Sequence, residues 1–323
     1  MSKPFAPQNV LVIKLGALGD FVQATGPFAA IRRHHAAARI TLLTTPPFAE
    51  LAAASGWFDE VWAEGRPGGR DLRGWLDLRR RLRGGGFGRV YDLQTSRRSS
   101  FYLRLFWPGP TPEWSGIAGD CSHPHANPRR DFMHTLERQA EQLAVAGVAD
   151  VPPSDFSWAK ADLDRFTLAE RFGLVVPGGA VHRPAKRWPA ERFAAAAGWL
   201  AEQGIQPVLL GAAEETELIQ SIAERAPGAR SLAGGTSLFD IVALARGAAV
   251  ALGNDTGPMH VCALVGCPSV VLYSEASDPA LCAQRGPCVT ILRRPRLAHL
   301  EVEEVVSALT LAGAGIGSRF LDS

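Results

Sequence analysis

The stretch Ala248-Ala249-Val250-Ala251-Leu252-Gly253-Asn254-Asp255-Thr256-Gly257-Pro258-Met259-His260 decides how this chain is read. Its first five residues form an apolar run with the character of a buried strand, and Val261-Cys262-Ala263-Leu264-Val265 reads as a helix start. A strand that runs through Asp-Thr-Gly-Pro into a helix gathers small groups, backbone N–H donors and a helix N-terminus at one spot. That combination can hold a phosphate or diphosphate. The same residues also suit a plain strand-to-helix turn, with Asp255 or Thr256 as N-cap and Pro258 in the first turn. Taken alone, the stretch leaves both readings standing.

Outward from it, strand and helix alternate in two blocks. Asn9–Leu15, Arg39–Thr44, Glu60–Ala63 and Arg89–Leu93 read as strands of a first block. Phe21–His34 and Phe48–Ser55 form amphipathic helical stretches between them. A second block opens at Gly173–Val176 and continues through Gln206–Leu210, Ala229–Leu232, Ala248–Leu252, Ser269–Tyr273 and Val289–Leu292. Near-continuous apolar strands interleaved with helices predict parallel sheets covered on both faces. Pro108–Arg130 is rich in Pro, Gly, His and Arg and reads as a long loop. Helical pattern returns at Phe132–Ala146, and Pro152 to Asp164 has the composition of a linker. The reading is therefore α/β, with domains at 1–165 and 166–323 and a cleft between them. A helix over Val302–Leu311 precedes a Gly-rich tail expected to be poorly ordered.

At 323 residues, with 46% hydrophobic and 20% charged residues, the chain has ample core for two domains. Net charge is only +2, so bulk electrostatics do not predict nucleic-acid binding. Eleven arginines crowd Arg66 to Arg104 against Asp71, Asp77 and Asp92, which suits a solvated helix face and also an anionic partner. Lysine occurs only at Lys3, Lys14, Lys160 and Lys186. The five cysteines form no metal-ligand pattern, and no secretory signal is legible, so a reduced cytoplasmic protein is expected. No apolar run reaches the roughly 18–20 residues of a spanning helix, so any membrane contact is expected to be peripheral. Asp162-Leu163-Asp164 spells D-x-D but lies in the polar linker, and no metal site is expected.

The loops that follow the strands carry the candidate chemistry, because ligands of open α/β sheets sit beyond the carboxyl ends of the strands. Lys14-Leu15-Gly16-Ala17-Leu18-Gly19-Asp20 fits neither a dinucleotide fingerprint nor a Walker loop. Asp20 suits a general base or a first-turn aspartate equally. The loop from Pro177-Gly178-Gly179 to Ala185-Lys186-Arg187-Trp188-Pro189 sets a rare lysine among glycines. There Lys186 can neutralise a diphosphate as a point charge, and Trp188-Pro189 can anchor the loop. Glu214, Glu215 and Glu217 follow the next strand, where a carboxylate can accept from ribose hydroxyls, although first-turn acidic charge accounts for at least two of them.

Taken together, these loops resemble glycosyltransferase family 9, the bacterial heptosyltransferases of lipopolysaccharide core assembly. The anchors are Val10–Asp20, Lys186-Arg187-Trp188-Pro189 and Asp255–His260, with weaker matches at Tyr91–Gln94, Arg97-Arg98 and His134–Arg138. The resemblance implies a GT-B-like fold of two Rossmann-like, doubly wound domains. It implies inverting, metal-independent transfer of heptose from ADP-heptose, a substrate rather than a cofactor, to an anionic lipopolysaccharide inner-core acceptor. By the same resemblance Asp20 is the catalytic base. Lys186, Asp255, Thr256, Gly257, His260, Gly178 and Gly179 hold donor sugar and diphosphate, and one of Glu214, Glu215 or Glu217 holds the ribose. Arg97, Arg98 and Gly19 face the acceptor. A nucleotide-sugar epimerase of the same fold, or a family member that binds nucleotide sugar without transferring it, are the competing expectations.

Overall fold

The computed structural model describes residues 7–63, 66–179 and 183–314. The Gly-rich tail and Ala180-Val181-His182 of the second block's first loop lie outside the described residues. The chain divides into two compact units, Met1–Ser154 and Asp155–Ser323.

The first unit carries six strands: β1 (Asn9–Ile13), β2 (Arg39–Leu43), β3 (Glu60–Trp62), β4 (Arg89–Asp92), β5 (Glu113–Gly116) and β6 (His123–Pro124). They form one sheet in the order β3-β2-β1-β4-β5-β6, with every pairing parallel. The inner strands are apolar at nearly every position because helices cover both faces, and β1 is buried from Val10 to Ile13. Leu11, Ile13, Leu43, Val90 and Trp114 head the core of this unit.

The second unit repeats the plan with β7 (Phe172–Val176), β8 (Gln206–Leu209), β9 (Arg230–Ser231), β10 (Ala251–Asn254), β11 (Ser269–Tyr273) and β12 (Val289–Arg293). Its sheet order, β12-β11-β10-β7-β8-β9, is again wholly parallel. Read within each unit, both orders are 3-2-1-4-5-6, the Rossmann arrangement. Val175, Leu209, Leu252, Leu272 and Phe193 belong to this unit's separate core. The segment after Ser154 is stitched into the second unit: Arg246 donates to the carbonyls of Ala159 and Phe156, and Arg165 pairs with the buried Asp240.

Three local expectations need correction. The helical stretch Phe21–His34 is two helices, Leu18–Gln23 and Thr25–His34, divided at Ala24. Pro108–Arg130 is not all loop, since β5 and β6 lie inside it. β6 is a two-residue edge strand ending in Pro124, a residue tolerated where no further neighbour needs its N–H. The strand expected at Ala248–Leu252 begins at Ala251 and runs on through Gly253 and Asn254. Gly253 is required there, because a Cβ on it would lie 2.7 Å from Met259 Sδ and 2.9 Å from Val176 Cβ.

Candidate functional site

The Rossmann order has one switch point per sheet, between its first and fourth strands, and the loops leaving those two strands splay apart into a crevice. In the first unit these are the loops after β1 and β4. In the second they are the loops after β7 and β10. Each candidate motif of the sequence falls on one of these four loops or beside it.

In the first unit, β1 and β4 end in register at Ile13 and Asp92. One residue further, the buried Lys14 sends Nζ across the switch point to the Leu93 carbonyl, 3.0 Å away. The Leu15 amide donates to Gln94 Oε1 at 2.8 Å. Gly16 turns the chain with φ +106°, and a Cβ there would lie 2.7 Å from the Phe48 ring. Asp20 is the third residue of the helix Leu18–Gln23, and its carboxylate accepts weakly from the Ala17 amide at 3.3 Å. Gly19 is buried in the same helix.

Asp20 and Lys14 line a polar hollow of about 140 Å³ with Gln94, Thr95, Arg130 and Arg138. Burial pulls the Lys14 ammonium pKa below its usual value; the charges of Asp20 and Asp92 push it back up, while that of Arg138 adds to the fall. The Arg130 pKa is also drawn down, by burial first and by the neighbouring Arg138 next. Three cations therefore converge on the hollow that holds Asp20. Behind them Asp92 is fully buried and accepts from the amides of Gln94 and Thr95 at 3.1 and 3.0 Å. Burial raises its carboxyl to about 6, against those hydrogen bonds and the Lys14 charge.

Lys14, Arg130 and Arg138 were not among the residues assigned a site role from the sequence. The signal for Lys14 was a rare lysine placed at the end of an apolar strand. Arg138 sits inside the His134–Arg138 match, and Arg130 carried no signal of its own. Arg97 and Arg98 do not line this hollow. They begin the helix Arg97–Tyr102 and border a separate concavity with Trp75, Phe101 and Leu105.

In the second unit Asn254 plays the stitching part. Its Nδ2 donates to the carbonyls of Pro177 and Gly178 at 2.8 and 3.2 Å, and its Oδ1 accepts from the Trp188 amide at 3.0 Å. Trp188 is buried, and its indole N–H donates to the Leu300 carbonyl at 2.8 Å, so the lysine-bearing loop is anchored. The next residue, Asp255, receives four side-chain donors. Lys186 Nζ and Ser277 Oγ each lie 2.7 Å from Oδ2, and Tyr273 OH and Gln284 Nε2 lie 2.9 and 3.1 Å from Oδ1. Burial alone would raise the Asp255 carboxyl; the bonds from Lys186 and Ser277, with the Lys186 charge, outweigh it and hold the carboxyl below its ordinary value.

Thr256 is the N-cap of the helix Gly257–Leu264, yet its hydroxyl donates backward to the Asn254 carbonyl at 3.2 Å and caps nothing. The first-turn N–H groups of that helix therefore receive no side-chain cap from Thr256, which separates this turn from an ordinary capped one. His260 is buried on the same helix.

Among the three glutamates, Glu215 is turned inward. Its Oε1 accepts from the Gly179 amide at 2.7 Å and its Oε2 from the Ala212 amide at 2.9 Å. A Cβ on Gly178 would lie 2.2 Å from Glu215 Oε1, so the pair fits only as glycine against carboxylate. Glu214 and Glu217 are exposed. Arg187 donates to the Gly179 carbonyl, closing the loop from the other side. Among the described residues no three His, Cys, Asp or Glu side chains gather as a metal site.

A family model described as glycosyltransferase family 9 (heptosyltransferase) matches residues 75–305, well over half of the chain. Lipopolysaccharide heptosyltransferase 2 of Escherichia coli (strain K12) is 38% identical over 120 residues, 35% of this chain and 34% of that protein. The matched stretch thus spans about a third of the length of the curated relative. Among solved structures, a glycosyl transferase family 9 protein from Veillonella parvula superposes with TM-score 0.82 at 20% identity, covering 95% of this chain and 97% of the other. The ADP-heptose lps heptosyltransferase II of E. coli superposes with TM-score 0.74 at 22% identity, covering 96% and 99%. These structures share the fold, two Rossmann-like units of GT-B type. With the family model spanning the loops after β4, β7 and β10, the chain belongs to glycosyltransferase family 9.

Proposed function

We propose that this protein is an inverting glycosyltransferase that moves heptose from ADP-heptose to an anionic sugar of the lipopolysaccharide inner core, without a divalent metal. The observation that carries the reading is the chemistry at the two switch points. One presents a carboxylate, Asp20, among cations, and the other presents a lysine and a helix N-terminus whose N-cap hydroxyl points away. Two E. coli relatives named as heptosyltransferases, one solved with ADP and one related through its sequence, support the choice of donor.

In this reading Asp20 takes the proton of the acceptor hydroxyl as that oxygen attacks the anomeric carbon. The bond from that carbon to the diphosphate breaks on the opposite face, and the charge that develops on the leaving group needs fixed donors. Lys186 gives one hydrogen bond to Asp255 and keeps the capacity for two more. Those two, the amides near Thr256 and Gly257, and the Gly178-Gly179 turn would hold the diphosphate, with His260 beside them. Asp255 acts as a positioning residue that fixes the ammonium. Glu215 is the ribose candidate that the loop geometry favours over Glu214 and Glu217.

Lys14, Arg130 and Arg138, which face Asp20, would receive the acidic substituents of the acceptor. Arg97 and Arg98 would serve a more distant part of that molecule. A lipid-anchored acceptor would bring the protein to the inner face of the inner membrane as a peripheral visitor; no helix among the described residues is long and apolar enough to span it.

Calorimetric titration with ADP, ADP-heptose, UDP and UDP-glucose, with and without chelator, tests the donor. Adenine-selective binding that survives chelation and weakens in Lys186→Ala is expected. Preference for uridine nucleotides would overturn the heptosyltransferase reading and return the epimerase to consideration.

A further inference from the structure

The first unit carries a second surface feature that the transfer chemistry does not use. The helix Leu72–Gly84 turns Leu72 and Leu76, one turn apart, outward with 75% and 59% of their surface in water. Trp107 is 75% exposed and Phe101 44%. Two contacts of this helix bring the segments that carry them together. Trp75 of the same helix meets the Phe101 ring edge-on at 5.6 Å, and Arg79 Nη2 donates to the Trp107 carbonyl at 2.9 Å. Two open concavities flank the ridge, about 590 Å³ beside Trp75 and Phe101 and about 930 Å³ beside Leu76 and Phe106. Large apolar side chains clustered in water mark a docking surface.

The charge around the ridge selects the partner. Arg70, Arg73 and Arg83 are exposed, and among the described residues no carboxylate lies within ion-pair reach of them. The local acids are already engaged: Asp71 caps the helix through the Gly74 amide, and Asp77 pairs with Arg80. A second copy of the chain would set like charges against each other. An anionic bilayer complements both features, because leucine and tryptophan enter the headgroup boundary while arginines reach lipid phosphates.

We propose that the ridge Leu72-Leu76-Phe101-Trp107, with Arg70, Arg73 and Arg83, is the surface by which this protein docks on anionic lipid bilayers. The proposal extends the reading of a lipid-anchored acceptor and rests on it for the choice of a membrane.

The test is co-sedimentation with vesicles of phosphatidylglycerol in phosphatidylcholine, and with phosphatidylcholine alone. Binding to the anionic vesicles that weakens in high salt is expected. Arg70→Gln, Arg73→Gln and Arg83→Gln should each cost about fivefold. Leu72→Ser with Leu76→Ser should cost roughly tenfold or more at unchanged melting temperature. Failure of the wild type to bind anionic vesicles, or equal binding by all variants, would overturn the proposal. So would a dimer that the leucine variant dissociates while vesicle binding persists. Transfer from ADP-heptose to an acceptor stripped of its lipid should be intact in these variants. Its absence in the wild type, with vesicle binding retained, would sink the transferase reading and leave the surface standing.

Discussion

Lys186 Nζ and Asp255 Oδ2 stand 2.7 Å apart with only 13% and 7% of their side chains exposed, and this pair joins the loop after β7 to the loop after β10. An ion pair so placed is costly to break from one side, because the surviving charge stays buried without its partner. Asp255→Ala should therefore destabilise the second unit by about 3 kcal/mol. Lys186→Met combined with Asp255→Leu should recover part of that loss while nucleotide binding stays weaker than in wild type. Chemical unfolding and ADP titration of wild type and the two variants check it, and a double variant less stable than Asp255→Ala would overturn it.

The same pair sets a limit at low pH. The Asp255 carboxyl is held below its ordinary value in the folded chain, so its contribution is fully present above about pH 4. It is lost as pH falls through the lower, folded value. Wild type should lose stability below about pH 4 more steeply than Asp255→Asn, and parallel acid melts of the two proteins would refute this.

Asp92 behaves in the opposite sense. Its carboxyl is raised to about 6 by burial, so the folded chain holds that proton more tightly than the unfolded chain does. Its effect is a cost that grows as pH rises from about 4 to about 6 and persists above, on the order of 3 kcal/mol. Asn at this position can still accept from the Gln94 and Thr95 amides. Asp92→Asn should gain stability over wild type across that interval, read as urea midpoints from pH 4 to pH 7. A constant offset would mean that Asp92 ionises as it does in water.

Asp20→Asn keeps the shape of the helix start and removes the proposed base. Turnover should fall by about 10²–10⁴-fold, with ADP affinity held within error. Single-turnover assays with ADP-heptose decide the first part and calorimetry the second. Wild-type turnover would remove Asp20 from the catalytic role.

Glu215 receives the amides of Gly179 and Ala212, whereas Glu214 and Glu217 lie in solvent. Glu215→Ala should cost about 2 kcal/mol of stability and weaken nucleotide binding, while the other two alanine variants leave both unchanged. Weakened adenosine binding in Glu217→Ala alone would reassign the ribose contact.

What the sequence disclosed follows from where the signals are dense. The inner strands were legible because both faces of each sheet are covered, which writes an uninterrupted apolar run. The β5 and β6 edge was not, since four residues around a single buried Trp114 and two ending in Pro124 leave no period to read. Asp20, Lys186 and the Asp255 turn stood out as polar groups at strand ends. Their partners did not: Tyr273, Ser277 and Gln284 reach Asp255 from up to 29 positions away, and Arg130 joins Lys14 only through the fold. A residue's type and its place after a strand are local facts, and its hydrogen-bond partners are not.

Among the described residues each unit has a hydrophobic core of its own, and each carries its loops on the same pair of strands. The halves are therefore separable units of inheritance. Substitutions at Lys14, Arg130 and their neighbours can accumulate without repacking the sheet that supports Asp255. Under the proposed function, a lineage can thus change the molecule it modifies and keep the donor it uses. Grafting the first 154 residues of one relative onto the remainder of another is the laboratory form of that history.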